Sequence, residues 1–242
     1  MSFALGEGYG RIVLLLKRKR MEENISIRKA FHEAISLCKG KPLASDATSL
    51  ENYYDVCCGC VLLAEDDLKA QRRCWEIAGL AETFLHYASY LEGFDHVLNR
   101  VYPAVRRMTD CVNEHKRLRL RLLRLKLMVI RRIEAREGHE LSFGEEVESE
   151  VRRYERNIKL ADEGRYDEIV NTGHLKRDTI EWSQAYENAI DDVERETDVL
   201  LATSPHGMGF CFAYWHAKAV ALRCNGVEWK SPGVMNPHVM FD

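Results

Sequence analysis

The sequence predicts an all-α protein, an irregular bundle of about six to eight helices with an extended C-terminal strap. Three observations predict it. Helix start and stop signals recur along the chain, and between them apolar residues return at three- and four-residue steps. Only 5 prolines and 15 glycines occur in 242 residues, too few for the many turns of an all-β design.

The elements follow in order. Ser26 precedes a run in which Ile27, Ala30, Phe31, Ala34 and Leu37 share one face, and Gly40 ends it. Thr48-Ser-Leu-Glu51 has the form of a capping box and opens a helix expected to run through Leu63. Asp66 or Asp67 is then expected to cap another helix reaching Gly93. Asp95 opens a further helical stretch, in which Pro103 marks a start or a kink.

The segment from His115 to Arg132 alternates arginine with leucine. Wound as a helix, it carries one stripe of Leu118, Leu122, Leu125 and Val129 and a second of Leu120, Leu123, Leu127 and Ile130. Two apolar stripes predict burial between two sets of neighbours, with Arg117, Arg121, Arg124, Arg131 and Arg132 on the remaining basic face.

Ser142-Phe-Gly-Glu145 and Asp178-Thr-Ile-Glu181 read as two more capping boxes. The first opens a charged helix to about Gly164. The second opens a helix to about Ala202 with an inward stripe from Trp182 to Leu200. The run from Gly207 to Arg223 is apolar on nearly every face, interrupted by His216 and Lys218, and predicts a central, surrounded helix stopped by Asn225-Gly226. In the tail, Trp229, Met235, Val239 and Phe241 are apolar anchors spaced by two prolines, as in a strap across the bundle.

The domain reading is a flexible extension over 1–25 and a single helical domain over 26–242. A weak boundary falls near Gly138, where a basic half gives way to an acidic stretch. Charged residues make up 30% and the net charge is -3, so no global attraction to nucleic acid or to an acidic membrane follows. No run approaches the length of a membrane span. Near the N-terminus the basic cluster Lys17–Arg20 follows its short apolar run, the reverse of a secretory signal. With 8 cysteines, this predicts thiols in a reducing cytoplasm.

Several motifs invite chemistry. The glycines between Leu5 and Val13 lack both the kinase spacing and the preceding strand of a dinucleotide loop, so they read as a flexible end. Cys57-Cys-Gly-Cys60 lacks the second pair that structural zinc requires and reads as buried thiols. Cys211 and His216 are five residues apart, on different helix faces, which disfavours a nucleophile pair; His206 stands just before that helix. Glu82 with His86, and Glu92 with His96, are spaced to share a helix face, and His115 adds a third nitrogen. Against a metal, carboxylate-bridged di-iron bundles use Glu-x-x-His, a different offset.

The segment from Tyr214-Trp215 through Trp229, Ser231, Pro232, Met235, Asn236, Pro237, Phe241 and Asp242 resembles the ending of short helical proteins of Bacteroidetes mobile elements. That resemblance implies a bacterial origin and carries over no catalytic residue.

The function expected is a non-enzymatic protein-interaction or self-assembly module with charge-segregated helices. Its partner is another protein or a second copy, with no cofactor and no membrane. One alternative is nucleic-acid binding through Arg117, Arg121, Arg124, Arg131 and Arg132. Set against it, those arginines meet the acidic residues Glu145, Glu146, Glu148, Glu150, Asp191, Asp192 and Glu194 within the chain, which is the favoured pairing. A third reading is a metal-dependent helical-bundle enzyme using Glu82, His86, Glu92, His96 and His115.

Overall fold

The computed structural model describes residues 25–39, 46–91, 93–204 and 207–241. The glycine-rich segment 5–13, Gly40, Glu92, His206 and Asp242 lie outside them. The described residues form nine helices and no strand: α1 (25–38), α2 (Ala47–Ala70), α3 (Glu76–Leu91), α4 (Leu98–Cys111), α5 (Lys116–Glu137), α6 (Gly144–Asp162), α7 (Gln184–Leu201), α8 (Phe210–Cys224) and the short α9 (Pro232–Met235). The fold is all-α, as the periodicity predicts.

Several boundaries differ from the sequence reading, each for a local reason. Asp46 caps α2, accepting from the Ser49 amide at 3.0 Å, so Thr48 lies inside the helix and not at its cap. The helix then runs unbroken to Ala70, past the expected stop at Leu63. Asp67 is no cap; it is fully buried within α2 and held by Arg28 of α1 at 2.7 Å. Ser142 caps nothing: α6 begins after Phe143 with no side-chain cap bond. Asp178 caps only a 3-10 turn, Thr179–Trp182, and α7 starts afresh under Ser183, whose Oγ accepts from the Tyr186 amide at 3.1 Å. Pro103 is accommodated inside α4.

Three apolar clusters make the interior. The first joins α1 to α5 through residues such as Phe31, Val56, Cys60, Phe84, Leu98, Met108 and Leu122. Here α1 lies so close on α2 that a Cβ at Gly59 would sit 2.7 Å from Phe31 Cδ2, which requires a residue without one. Cys57 and Cys60 are buried in this core, and burial holds both thiols protonated. The second cluster joins α5, α6 and Trp182. The third is built from α7, α8, Val227 and Trp229.

Helix α5 divides its two predicted stripes between the first two clusters. Leu118, Leu122, Leu125 and Val129 enter the first, while Leu120 and Leu123 enter the second with Leu127 against it. Gly138, at φ +73°, ends α5 and turns the chain into α6, which packs alongside. The tail behaves as a strap over 176–182. The Asn236 amide exchanges two 2.8 Å hydrogen bonds with the Lys176 backbone, and the Lys230 amide donates to Asp178 Oδ2 at 2.7 Å. Phe241 stands edge-on to Trp215, whereas Val239 is exposed.

Candidate functional site

Where α7 meets α8, the apolar periodicity is broken by charge. Tyr186, Ile190, Val193, Glu194 and Thr197 face inward from α7, and Lys218, Ala221 and Leu222 from α8. Lys218 is only 3% exposed. Its Nζ donates to Glu194 Oε1 at 2.9 Å and to Glu114 Oε2 at 3.0 Å, the latter from the loop between α4 and α5. Tyr214 Oη lies 2.5 and 2.6 Å from the two Glu194 oxygens, and Tyr186 Oη donates to Glu114. The rings of Trp229, Tyr214 and Tyr186 surround the ammonium at 5.4, 5.7 and 5.8 Å.

The chain of opposite charges continues beyond Lys218. Arg177 joins Glu114 to Glu181, with each contact at 3.0 Å. Glu181, 2% exposed, also meets Lys116 Nζ at 3.5 Å and accepts from Trp229 Nε1 at 3.1 Å. Lys116 donates in turn to the Asn113 carbonyl at 2.7 Å. Three carboxylates and three cations therefore alternate, and the network is neutral as a whole.

Burial opposes ionisation at each member, and neighbours decide the outcome. Although burial acts against it, the charges of Lys218 and Arg177 hold Glu114 well below the usual carboxylate range. Burial likewise opposes the Lys218 charge, but Glu114 and the other acidic groups keep it protonated far above neutrality. Lys116 is pushed down by burial, with Glu181 acting against the shift. Such a network clasps segments distant in sequence and specifies their register; it presents no activated base or nucleophile. In the sequence Lys218 stood out as an interruption of an apolar run, whereas Glu194, Glu181 and Trp229 carried other readings and Glu114 none.

The predicted site residues lie elsewhere. Each of the five arginines of the basic face meets a carboxylate of this chain. Arg117 pairs with Asp162 and Glu187, and Arg121 with Glu82. Arg124 meets Glu155 at 2.8 Å, and Arg131 meets both Glu134 at 2.8 Å and Glu148 at 2.5 Å. Arg132 meets Asp95 at 2.6 Å. Of the acidic residues expected opposite, Glu148 is one such partner, Glu150 meets Arg119 at 3.5 Å, Asp191 meets His115 and Glu194 meets Lys218.

The four described candidates, Glu82, His86, His96 and His115, are not gathered into one centre. Glu82 is engaged by Arg121, and His86 stands edge-on to Tyr87 and Tyr90. His96 stacks edge-on with Phe94, and His115 Nε2 lies 2.9 Å from Asp191. Glu92 is outside the described residues. Among the described residues, no group of three or more His, Cys, Asp and Glu side chains is placed to hold a metal ion.

The reading of α8 as a helix surrounded on all sides is overturned. Only Lys218, Ala221 and Leu222 are buried. Phe212, His216, Val220 and Cys224, at four-residue steps, form an exposed stripe on the opposite side. Apolar composition on every face shows that a helix tolerates burial; here only α7 and the tail supply it. Close to that stripe in sequence, Met208 is 94% exposed and Val199 of α7 is 71% exposed. Among the described residues, no helix is long and apolar enough to cross a membrane. Comparison with protein-family models, curated proteins and solved structures gives no match for this chain.

Proposed function

We propose that this chain is a non-enzymatic protein-interaction module that self-assembles through the outer face of α8. The observation that carries the reading is the exposed stripe Phe212, His216, Val220 and Cys224, with Met208, Val199 and Leu200 also exposed. Phe212 and Val220, the large apolar side chains exposed on this face of α8, mark a surface from which a partner would remove water. A stripe at four-residue steps suits helix-on-helix packing. A second copy of α8, related by a two-fold axis, supplies the complementary stripe with no other component.

The charged helices have a different part in this reading. Their arginines are matched by carboxylates of the same chain, so they brace α5 against its neighbours. A phosphate backbone would have to displace those carboxylates one by one, which weighs against nucleic acid as the partner.

Light scattering tests the proposal. The wild-type chain is expected to gain mass with concentration across the micromolar range, and Val220→Glu and Phe212→Glu to remain monomers with unchanged melting temperature. A wild-type monomer at every concentration would overturn self-assembly. A mass unchanged by either substitution would overturn the choice of face.

A further inference from the structure

By itself the outer face of α8 falls short of a standard protein interface. Its stripe exposes two large apolar side chains, Phe212 and Val220, with His216 between them. A stable interface removes about 800 Å² from each partner and takes roughly 20–30 residues a side. One face of a helix of 15 residues, whose other face is turned to α7, cannot supply that. The remaining area has to come from what adjoins Phe212.

The C-terminal strap adjoins it. At Gly233 the strap backbone lies so close to α8 that a Cβ would sit 3.2 Å from Trp215 Cζ3 and 3.7 Å from Phe212 Cε1. Trp215 is edge-on to Phe212, with ring centroids 5.4 Å apart, and edge-on to Phe241 at 5.0 Å. Phe212, Trp215, Gly233 and Phe241 therefore form one continuous layer shared by α8 and the strap. Beside the two strap members of that layer, Val234 is 65% and Met240 96% exposed, and Val239 is exposed as well.

Hydrogen bonds hold the strap in place. Asn236 exchanges two bonds with the Lys176 backbone and donates to the Pro232 carbonyl at 2.8 Å, Lys230 is tied to Asp178, and Ser231 caps α9. The backbone is thus fixed while Val234, Val239 and Met240 stay in water, a surface arranged before any partner arrives. A strap that served only to fasten the tail would turn those side chains inward.

We propose that the strap is the second half of the self-assembly surface, and that a second copy of this chain buries Val234, Val239 and Met240 together with Phe212 and Val220. The inference rests on α8 as the self-docking face and extends that face. Continuity with α8 names the occupant, because a two-fold axis that pairs the helices also brings the partner's strap to the same patch.

Light scattering over a concentration series, read as a dissociation constant, tests it in the whole chain. The strap variants are Val234→Glu and Met240→Glu. Leu37→Glu on α1 places the same charge at an exposed apolar position outside the patch. All three positions are exposed, so unchanged melting temperatures are expected. Each strap substitution is expected to raise the dissociation constant about tenfold or more, a difference of about 1.4 kcal/mol, and Leu37→Glu to leave it unchanged. Strap variants that assemble like the wild type, or more tightly, while Val220→Glu is monomeric would overturn the role of the strap and leave the α8 face standing. Equal weakening by Leu37→Glu would reduce the effect to net charge and overturn it as well. A wild-type chain that stays monomeric would overturn both readings.

Discussion

Lys218 of α8 and Glu194 of α7 form an ion pair of 2.9 Å in which the side chains retain only 4% and 8% of their exposure. Removing one member of a buried pair leaves the other charge uncompensated, which costs about 3–5 kcal/mol. Lys218→Met is therefore expected to destabilise the chain by about that amount, because Glu194 and Glu114 both lose their ammonium. Urea denaturation measures the loss. A change below about 1 kcal/mol would mean that water compensates the carboxylates and that the network is not a clasp.

His115 supplies a titrating contact between the start of α5 and α7. Burial acts against its charge, but the hydrogen bond and charge of Asp191, with Glu187 and Glu114 nearby, raise its pKa above the ordinary 6.5. A histidine whose folded pKa is raised stabilises the fold fully below its unfolded value, and that contribution is lost as pH rises through the folded value. Asp191→Asn is expected to lower the His115 pKa, read from its imidazole proton resonance across neutral pH. An unchanged titration would show that Asp191 does not support the charge.

Asp67 has the same sign of pH dependence from a different cause. Burial in α2 pushes its carboxyl up to about 6, against the opposing charges of Arg28 and Arg73. With the folded value above the unfolded 3.8, the fold binds the extra proton, so this group's contribution falls as pH rises between about 4 and about 6. Asp67→Asn keeps the shape and removes the titration. Denaturation midpoints at several pH values in that window should therefore decline less steeply for the variant. Parallel slopes would contradict the assignment.

The matched arginines of α5 predict little affinity for nucleic acid. At about 50 mM salt, where phosphate contacts are strongest, the untagged chain is expected to leave duplex and single-stranded DNA unbound. Binding that falls steeply towards about 200 mM salt would show that phosphates displace Glu82, Glu148 and Glu155 from Arg121, Arg131 and Arg124.

Periodicity made α5 legible, because its two stripes are written in residues spaced three and four apart, and each stripe has its own core. The continuity of α2 was not legible. Asp66-Asp67 resembles a helix start until Arg28, 39 residues away, is seen to hold Asp67 inside. The site around Lys218 was hidden for the same reason. Its partners lie 104 and 24 residues away, and Glu114 and Glu181 belong to a loop and a short turn without periodic pattern. For α8, composition gave the helix, but the supply of packing partners is a property of the whole chain.

The proposed self-assembly through α8 is tested most directly by hydrogen–deuterium exchange of peptides covering residues 210–224, compared from low to high micromolar concentration. The proposed assembly predicts that these amides become more protected as concentration rises, that α2 and α5 do not change, and that Val220→Glu abolishes the effect. Exchange in α8 that is independent of concentration while the chain remains folded would contradict it.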